Sequence, residues 1–498
     1  SIANVDSIAN MDSMPMTTRN RIDNAAWLLL LLTLACGCTA QRDRLRDARE
    51  TFYGGDPATA AQQLQELAAD DNQYRVTSTL DAAIAHLAAG DLNTAEQLLR
   101  QQRDAVDHAN AATVAGEHLA NARSILTDDR TRAYQPAGYE QVMMRALLAM
   151  CSLAGDGVDA ESYALQCQTH QQALIAANSR DQEDSGLLDA FMSLGQTPPE
   201  MRHNAIAPYL RGMLREGNRQ NDDDAVSAYQ QVALLQPSFT PATTDLQRVQ
   251  SGHHVSPGHG VLYVFALVGR GPQRQAIDAR GLSSLMNVTS VLVSATEDRT
   301  TIPLNAPIRV PDVVLPPQRI GALRVGVVAP TGQSIPLGIA QPITNVIDLA
   351  MQQQAVDRPR IIARAVQRRI AKEATVRTLL KSKKSDQGPD LLQSLAMGGW
   401  TALEQPDLRC WSLLPREIAV MRLELPAGDH TITLEPVDSA AAPIGAAATQ
   451  RVRIDAGYHS YLIAFAPDAS VMIAASKESQ AATQRPQIAD ATGNTGPR

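Results

Sequence analysis

The sequence predicts an α+β multidomain protein: an N-terminal α-helical repeat solenoid, then a C-terminal β-rich, sandwich-like region carrying a basic helical insert. Three observations predict it. A Gly-Asp-x-x-x-Ala pattern recurs through the first half. From His259 onward, short β-branched and aromatic runs alternate with Gly- and Pro-marked turns. Between these strands, residues 357–384 hold ten Lys/Arg against two acids on a helical pattern.

The 498 residues suffice for roughly three domains at ~150 residues each. Hydrophobic residues make up 44% and charged residues 19%, which excludes an intrinsically disordered chain. Aromatics are only 4%, so Ala, Leu, Val and Ile must fill the core. The net charge of −8 argues against nucleic acid as a partner. That charge is uneven: residues 42–250 carry 17 basic and 29 acidic side chains, residues 251–498 carry 25 and 20. The split marks two chemically different halves.

Residues 1–38 read as a signal peptide. Arg19 and Arg21 precede the apolar run Ala25 to Cys36, which is shorter than the ~20 residues a membrane span needs. Met11, Met14 or Met16 would each open a leader of ordinary length. The run ends in Leu34-Ala35-Cys36-Gly37-Cys38-Thr39, which resembles a bacterial lipobox. Cys38, preceded by Gly37, is the first candidate for lipidation, and Cys36, preceded by Ala35, is also compatible. Acyl chains on either thiol would hold the chain on a membrane without a spanning helix. A leader cleaved without lipidation, or left as an anchor, is the alternative. Neither Cys is followed by Asp, which by the usual sorting rule favours the outer membrane, facing the periplasm.

Residues 42–250 are expected to form TPR-like helical repeats. The pattern stands at Gly55-Asp56…Ala60, Gly90-Asp91…Ala95 and Gly155-Asp156…Ala160. The first two copies are 35 residues apart, near the 34 of a tetratricopeptide repeat. Glycine supplies the positive-φ end of one helix, Asp caps the next, and Ala permits close helix crossing. A fourth unit opens at Tyr209-Leu210-Arg211-Gly212 and continues with Ala225, Tyr229, Val232 and Pro237. Solenoids of this kind present a face to peptides or proteins.

The second half divides into a β-rich segment (255–343), a helical basic segment (344–400), a β-sandwich-like domain (409–475) and a disordered tail (476–498). "GVLYVFALVG" reads as a strand, as do "VTSVLVSAT" and "LRVGVVAP". Pro426-Ala427-Gly428-Asp429 and Asp455-Ala456-Gly457 are expected as hairpin turns. In the basic segment, Pro359 marks a helix start or kink. Arg360, Arg364, Arg368 and Lys372 form an i, i+4 row beside Ile362, Val366 and Ile370. Like charges at this spacing repel, so an ordinary amphipathic helix packed on the β-domain stands beside two alternatives, pairing with the acidic repeats or an anionic partner and contact with an anionic membrane.

Catalytic motifs are missing: there is no GxSxG, HExxH, Walker A or GxGxxG. His253, His254 and His259 sit in a Gly/Ser/Pro-rich linker without a neighbouring acid or Cys, so no metal is expected. No cofactor is expected either. Cys151 and Cys167 are spaced for a disulfide across a helical hairpin or for two buried thiols, and Cys410 has no evident mate. In "LRCWSLLPREI", Trp411 between Arg409 and Arg416 reads as a buried anchor at the entry to a β-domain.

With these segments in place, residues 45–465 resemble a family of uncharacterised bacterial lipoproteins with tetratricopeptide-like repeats. The marks are "YEQVMMRALLAMCSLAGDG", "HGVLYVFALVGRGPQRQ", "DRPRIIARAVQRRIAKEA" and "DLRCWSLLPREIAVMRLELPAGDHTITLE". The doubled Cys36/Cys38 and the dominance of Arg over Lys depart from the family pattern. The resemblance implies no reaction, cofactor or substrate. The expectation is a non-enzymatic, membrane-anchored lipoprotein of the bacterial cell envelope. It would act as a scaffold binding an envelope protein or peptide through the repeats. A cell-wall or glycan-associated accessory factor is the alternative.

Overall fold

A computed structural model of the chain describes residues 41–70, 73–124, 134–183, 203–218, 222–278, 309–382 and 406–474. The leader with Cys36 and Cys38, the expected strand "VTSVLVSAT" and the expected disordered tail all lie outside them. The chain is mixed α and β. Helices fill its first half: α1 (41–53), α2 (Pro57–Asp70), α3 (Arg75–Ala88), α4 (Leu92–Ser124), α5 (Gly138–Ala154), α6 (Ala160–Glu183), α7 (Ile206–Asn218), α8 (Asp222–Leu235) and α9 (Pro241–Gln250).

The first two Gly-Asp turns behave as the pattern requires. Gly55 and Gly90 have φ of +94° and +81°, where a side chain would be strained. Asp56 and Asp91 cap the following helices, accepting from the N–H groups of Thr59 (3.1 Å) and Thr94 (3.3 Å). Ala60 and Ala95 are fully buried at the crossings. The third copy departs from this. Gly155 has φ −94°, and the positive φ falls on Gly157 at +75°. Asp156 accepts from Val158, inside the turn, and helix α6 starts only at Ala160. Three more residues of turn separate Gly155 from the next helix than in the other copies, so Gly155 ends α5 without the positive φ expected of it and Asp156 does not cap α6. Ala160 is still fully buried. In the fourth unit Ala225, Tyr229 and Val232 are buried and Pro237 is exposed just past the end of α8. A Cβ on Gly212 would stand 3.0 Å from the Tyr229 ring, which explains why α7 carries glycine where α8 crosses it.

The strands are β1 (His259–Val268), β2 (Gln273–Asp278), β3 (Arg309–Val314), β4 (Ala322–Val328), β5 (Ser334–Ile339) and β6 (Gln341–Asn345). After the long helix α10 (Val346–Ser382) come β7 (Glu417–Pro426), β8 (Gly428–Val437), β9 (Ala448–Ile454), β10 (His459–Ala466) and β11 (Met472–Ala474). They build a five-stranded sheet, β11-β10-β1-β7-β6, a four-stranded sheet, β5-β4-β8-β9, and a β2-β3 ribbon. Strand β1 lies between β10, which runs parallel to it, and β7, which runs antiparallel. The two β-rich segments read from the sequence therefore share one sheet instead of forming separate domains. Both expected hairpins are corners between sheets. Strands β7 and β8 flank Ala427 but belong to different sheets, and the same is true of β9 and β10 around Gly457. A Gly-containing turn and alternating strands suit a crossing between facing sheets as well as a hairpin, so the pattern does not separate the two.

Strand β1 is apolar on both faces because both are covered. Leu262, Val264, Ala266 and Val268 pack with Leu323, Val325, Ile432 and Leu434 of the four-stranded sheet. Val261, Tyr263, Phe265 and Leu267 join the helical core. The five-stranded sheet is thus the middle layer, with the second sheet on one face and the helices on the other. Helices α3 and α5 are buried along nearly their whole length, whereas α2 and α8 bury a single stripe each. Helix α10 continues through Pro359, so that proline does not start a helix.

Candidate functional site

The most elaborate polar site lies where the helices meet residues 407–416. These residues form an irregular stretch with a turn at Ser412 and Leu413, which the sequence marks as "DLRCWSLLPR". Three consecutive residues are held by their main chain. The Trp411 N–H donates to Glu140 Oε1 at 2.8 Å, and the Leu413 N–H donates to Asp81 Oδ1 at 3.0 Å. Between them the Ser412 carbonyl accepts from the Tyr53 hydroxyl at 2.9 Å. The three side chains come from α5, α3 and the end of α1.

Both carboxylates are fully buried, so each must be compensated locally. Glu140 also accepts from the hydroxyls of Tyr134 and Tyr139 and reaches back to the Ala137 N–H (2.8 Å) at the start of its own helix. Asp81 takes Arg49, whose Nε donates at 2.7 Å. Burial raises the Asp81 carboxyl above its usual range, against the pull of Arg49 and the Leu413 N–H. Burial likewise raises the phenols of Tyr134 and Tyr139, and the Glu140 charge adds to it. The Trp411 ring is wholly buried, as the sequence reading expected for an anchor at the β-domain entry. Arg409 forks onto Asp407, donates to the Gln73 carbonyl at 2.9 Å and lies over the Tyr134 ring. Arg416 donates to the carbonyls of Ile320 and Gly321, tying the exit of the segment to the second sheet.

A second buried network joins α7, α8 and α9 to the sheet. Arg248 forks onto Glu216 at 2.7 and 2.8 Å and reaches Asp245 at 2.6 Å. Tyr229 donates to Glu216 at 2.8 Å. Burial alone would raise the Glu216 carboxyl, but Arg248, Arg422 and Tyr229 outweigh it and hold it below the usual range. His254 stands beside Glu216 and Asp222, and its carbonyl accepts from Arg422 on β7 at 2.7 Å. The ring nitrogens of His253 and His259 meet the carbonyls of Ser251 and Pro257. Among the described residues no cluster of His, Cys, Asp and Glu is arranged to hold a metal ion.

Of the basic row, Arg360 is half-buried and Arg364 exposed, both near the Asp357 carboxyl, which burial raises. The side chains of Arg368 and Lys372 lie outside the described residues. Cys151, Cys167 and Cys410 are free and buried, so the disulfide alternative for Cys151 and Cys167 does not form. Burial pushes the Cys167 thiol up to about 12. Among the described residues no helix is long and apolar enough to cross a membrane.

Sequence reading found Trp411 and Arg409 but missed Asp81, Glu140 and Tyr53. Glu140 sits three residues after Ala137 at a helix start, a spacing that signals a cap and nothing more. Asp81 is a lone acid in an apolar helix, "STLDAAIAHLA", and that was the available signal: such a residue is rarely buried without a partner. Comparison with known proteins finds no family model, no curated protein and no solved structure that matches this chain.

Proposed function

We propose that the chain is a non-enzymatic scaffold of the bacterial cell envelope, tethered by lipid at Cys38 or Cys36, with helices paired in the tetratricopeptide manner. One observation carries the scaffold reading and refines it. The inner helices α3 and α5 direct their buried carboxylates to the chain's own residues 411 and 413. The face on which a helical-repeat protein ordinarily takes a peptide is therefore filled in cis. Partner contacts belong on the outward helices α2, α4, α6 and α8, whose solvent sides carry acids such as Glu66, Asp104, Glu161 and Asp223 together with the exposed Leu165 and Leu234.

Crosslinking in intact cells, followed by mass spectrometry of the captured peptides, tests this. The expected result is a protein partner joined through residues 57–70, 92–111, 160–177 or 222–235. Capture of no protein, or crosslinks confined to cell-wall glycan, would remove the reading. Labelled palmitate absent from the chain would remove the tether separately.

A further inference from the structure

Among the described residues the two larger sheets end in the edge strands β11, β6, β5 and β9, and these edges are not alike. Strands β5 and β6 carry Pro336 and Pro342, and the register of each breaks beside its proline. An edge proline lacks a donor and a register break bends the edge away, so both strands refuse another. Strand β11 is three residues long and packs on α3. Strand β9 has no such protection: its seven residues contain neither Pro nor Gly and keep an unbroken register with β8.

Local bonds show which groups of β9 face outward. The Pro436 carbonyl accepts from Ile444, in the chain leading to β9, at 3.0 Å, and the Val437 carbonyl accepts from Gly321, beside β4, at 2.8 Å. Main-chain groups alternate sides along a strand, so the even-numbered residues of β8 bond β9 and the odd-numbered ones bond β4. Gln450, Val452 and Ile454, which stand opposite Ile432, His430 and Gly428, are therefore the residues of β9 bonded to β8. Thr449, Arg451 and Arg453 turn their N–H and C=O groups away from the sheet. The carbonyls of Arg451 and Arg453 accordingly meet side chains, Gln450 Nε2 at 3.1 Å and the Ser460 hydroxyl at 3.2 Å.

This edge borders an apolar seam. Ile444, Val452, Val471 and Ile473 are half-buried against the core between the two sheets, and β9 and β11 touch there. The opposite face of β9 presents Arg451 and Arg453, whose side chains are 74% and 71% exposed. Each meets one acid of the chain, Asp429 at 2.9 Å or Asp455 at 3.5 Å. Pairs so exposed contribute little, and a guanidinium has five donors.

We propose that β9 takes up an extended segment of another protein, apolar on its inner face and acidic on its outer face. The outward main-chain groups of Thr449, Arg451 and Arg453 supply the hold. Side chains of an added strand alternate, so one set covers the seam and the other lies beside the two arginines. A second copy of this chain is the wrong occupant. Antiparallel self-pairing about Arg451 or Val452 sets guanidinium against guanidinium, and like charges directly opposite are destabilising. The surface is separate from the outward helices, so the inference goes beyond the scaffold reading and does not rest on it.

Fluorescence anisotropy with the full chain tests it, using a short labelled peptide alternating Glu and Val against one alternating Lys and Val. The Glu/Val peptide should bind about tenfold tighter. By NMR it should slow exchange of the Thr449 and Arg451 amides and leave those of Gln450 and Val452, already bonded to β8, unchanged. Arg451→Pro removes one outward donor where an edge strand tolerates proline, and should abolish binding at an unchanged thermal midpoint. Arg451→Glu combined with Arg453→Glu should reverse the preference between the peptides. The proposal is overturned by failure of the Glu/Val peptide to bind, by equal binding of both, or by binding that leaves the two amides unprotected. Full binding by folded Arg451→Pro overturns it as well. Should Arg451→Pro unfold, the charge-reversed variant decides, and an unchanged preference sinks the proposal. A dimer in sedimentation that Arg451→Pro dissolves would give the edge to a second copy instead. None of these outcomes alters the crosslinks expected on the outward helices.

Discussion

Glu140 and Trp411 are 271 positions apart, and the carboxylate of one accepts the main-chain N–H of the other at 2.8 Å. Asp81 and Leu413 repeat the arrangement at 3.0 Å. Helices from the first half thus hold the turn that leads into β7 through two buried carboxylates. A buried carboxylate that loses its partners is costly, so these contacts make specific demands on substitution.

Glu140→Gln keeps the volume but presents an amide where Glu140 Oε2 now accepts from Tyr134 and Ala137. One donor is then left facing another. The expected cost is about 3 kcal/mol, read as a lower urea midpoint at unchanged slope. Asp81→Asn should cost a similar amount, because it strands the Arg49 guanidinium.

Trp411→Ala empties a fully buried site between helices and sheet. A loss of about 3–5 kcal/mol is expected, and Trp411→Phe should recover part of it. Gly212→Val tests a different contact: its side chain meets the Tyr229 ring at 3.0 Å. Overpacking of this kind costs about 1–3 kcal/mol by the same unfolding measurement.

His170 gives a pH dependence with a definite sign. Burial, with Arg145 nearby, lowers its imidazole to about 4. The unfolded chain takes up this proton near the ordinary value of about 6.5. Between those two values the unfolded state binds more protons, so the contribution is complete above the upper value and is lost as pH falls toward the lower one. Titration of the His170 ring by NMR should give the low value, and His170→Gln should flatten stability over that window.

The buried thiols give a chemical test. Cys151, Cys167 and Cys410 are buried, and burial raises all three. In a chain whose leader cysteines are replaced by Ser, a thiol reagent should find none of them until denaturant is added.

Local signals were readable and long-range ones were not. The caps at Asp56 and Asp91, the doubly covered strand β1 and the burial of Trp411 follow from spacing and composition within a few residues. The third turn failed because Gly155 and Gly157 both fit the cap, and backbone geometry alone selects the second. The corner after Pro426 failed because alternation reports a half-buried strand without naming its neighbour. Asp81 and Glu140 were unreadable as a pair: nothing in either helix encodes a contact with residues 411–413.

Amide hydrogen exchange at Trp411 and Leu413 tests the central claim most directly. If their N–H groups are held by Glu140 and Asp81, both exchange only with global unfolding, and Glu140→Ala, which removes the acceptor, speeds Trp411 far more than neighbouring helix amides. Exchange of these two amides at the rate of an exposed loop in the unmodified chain would contradict the account.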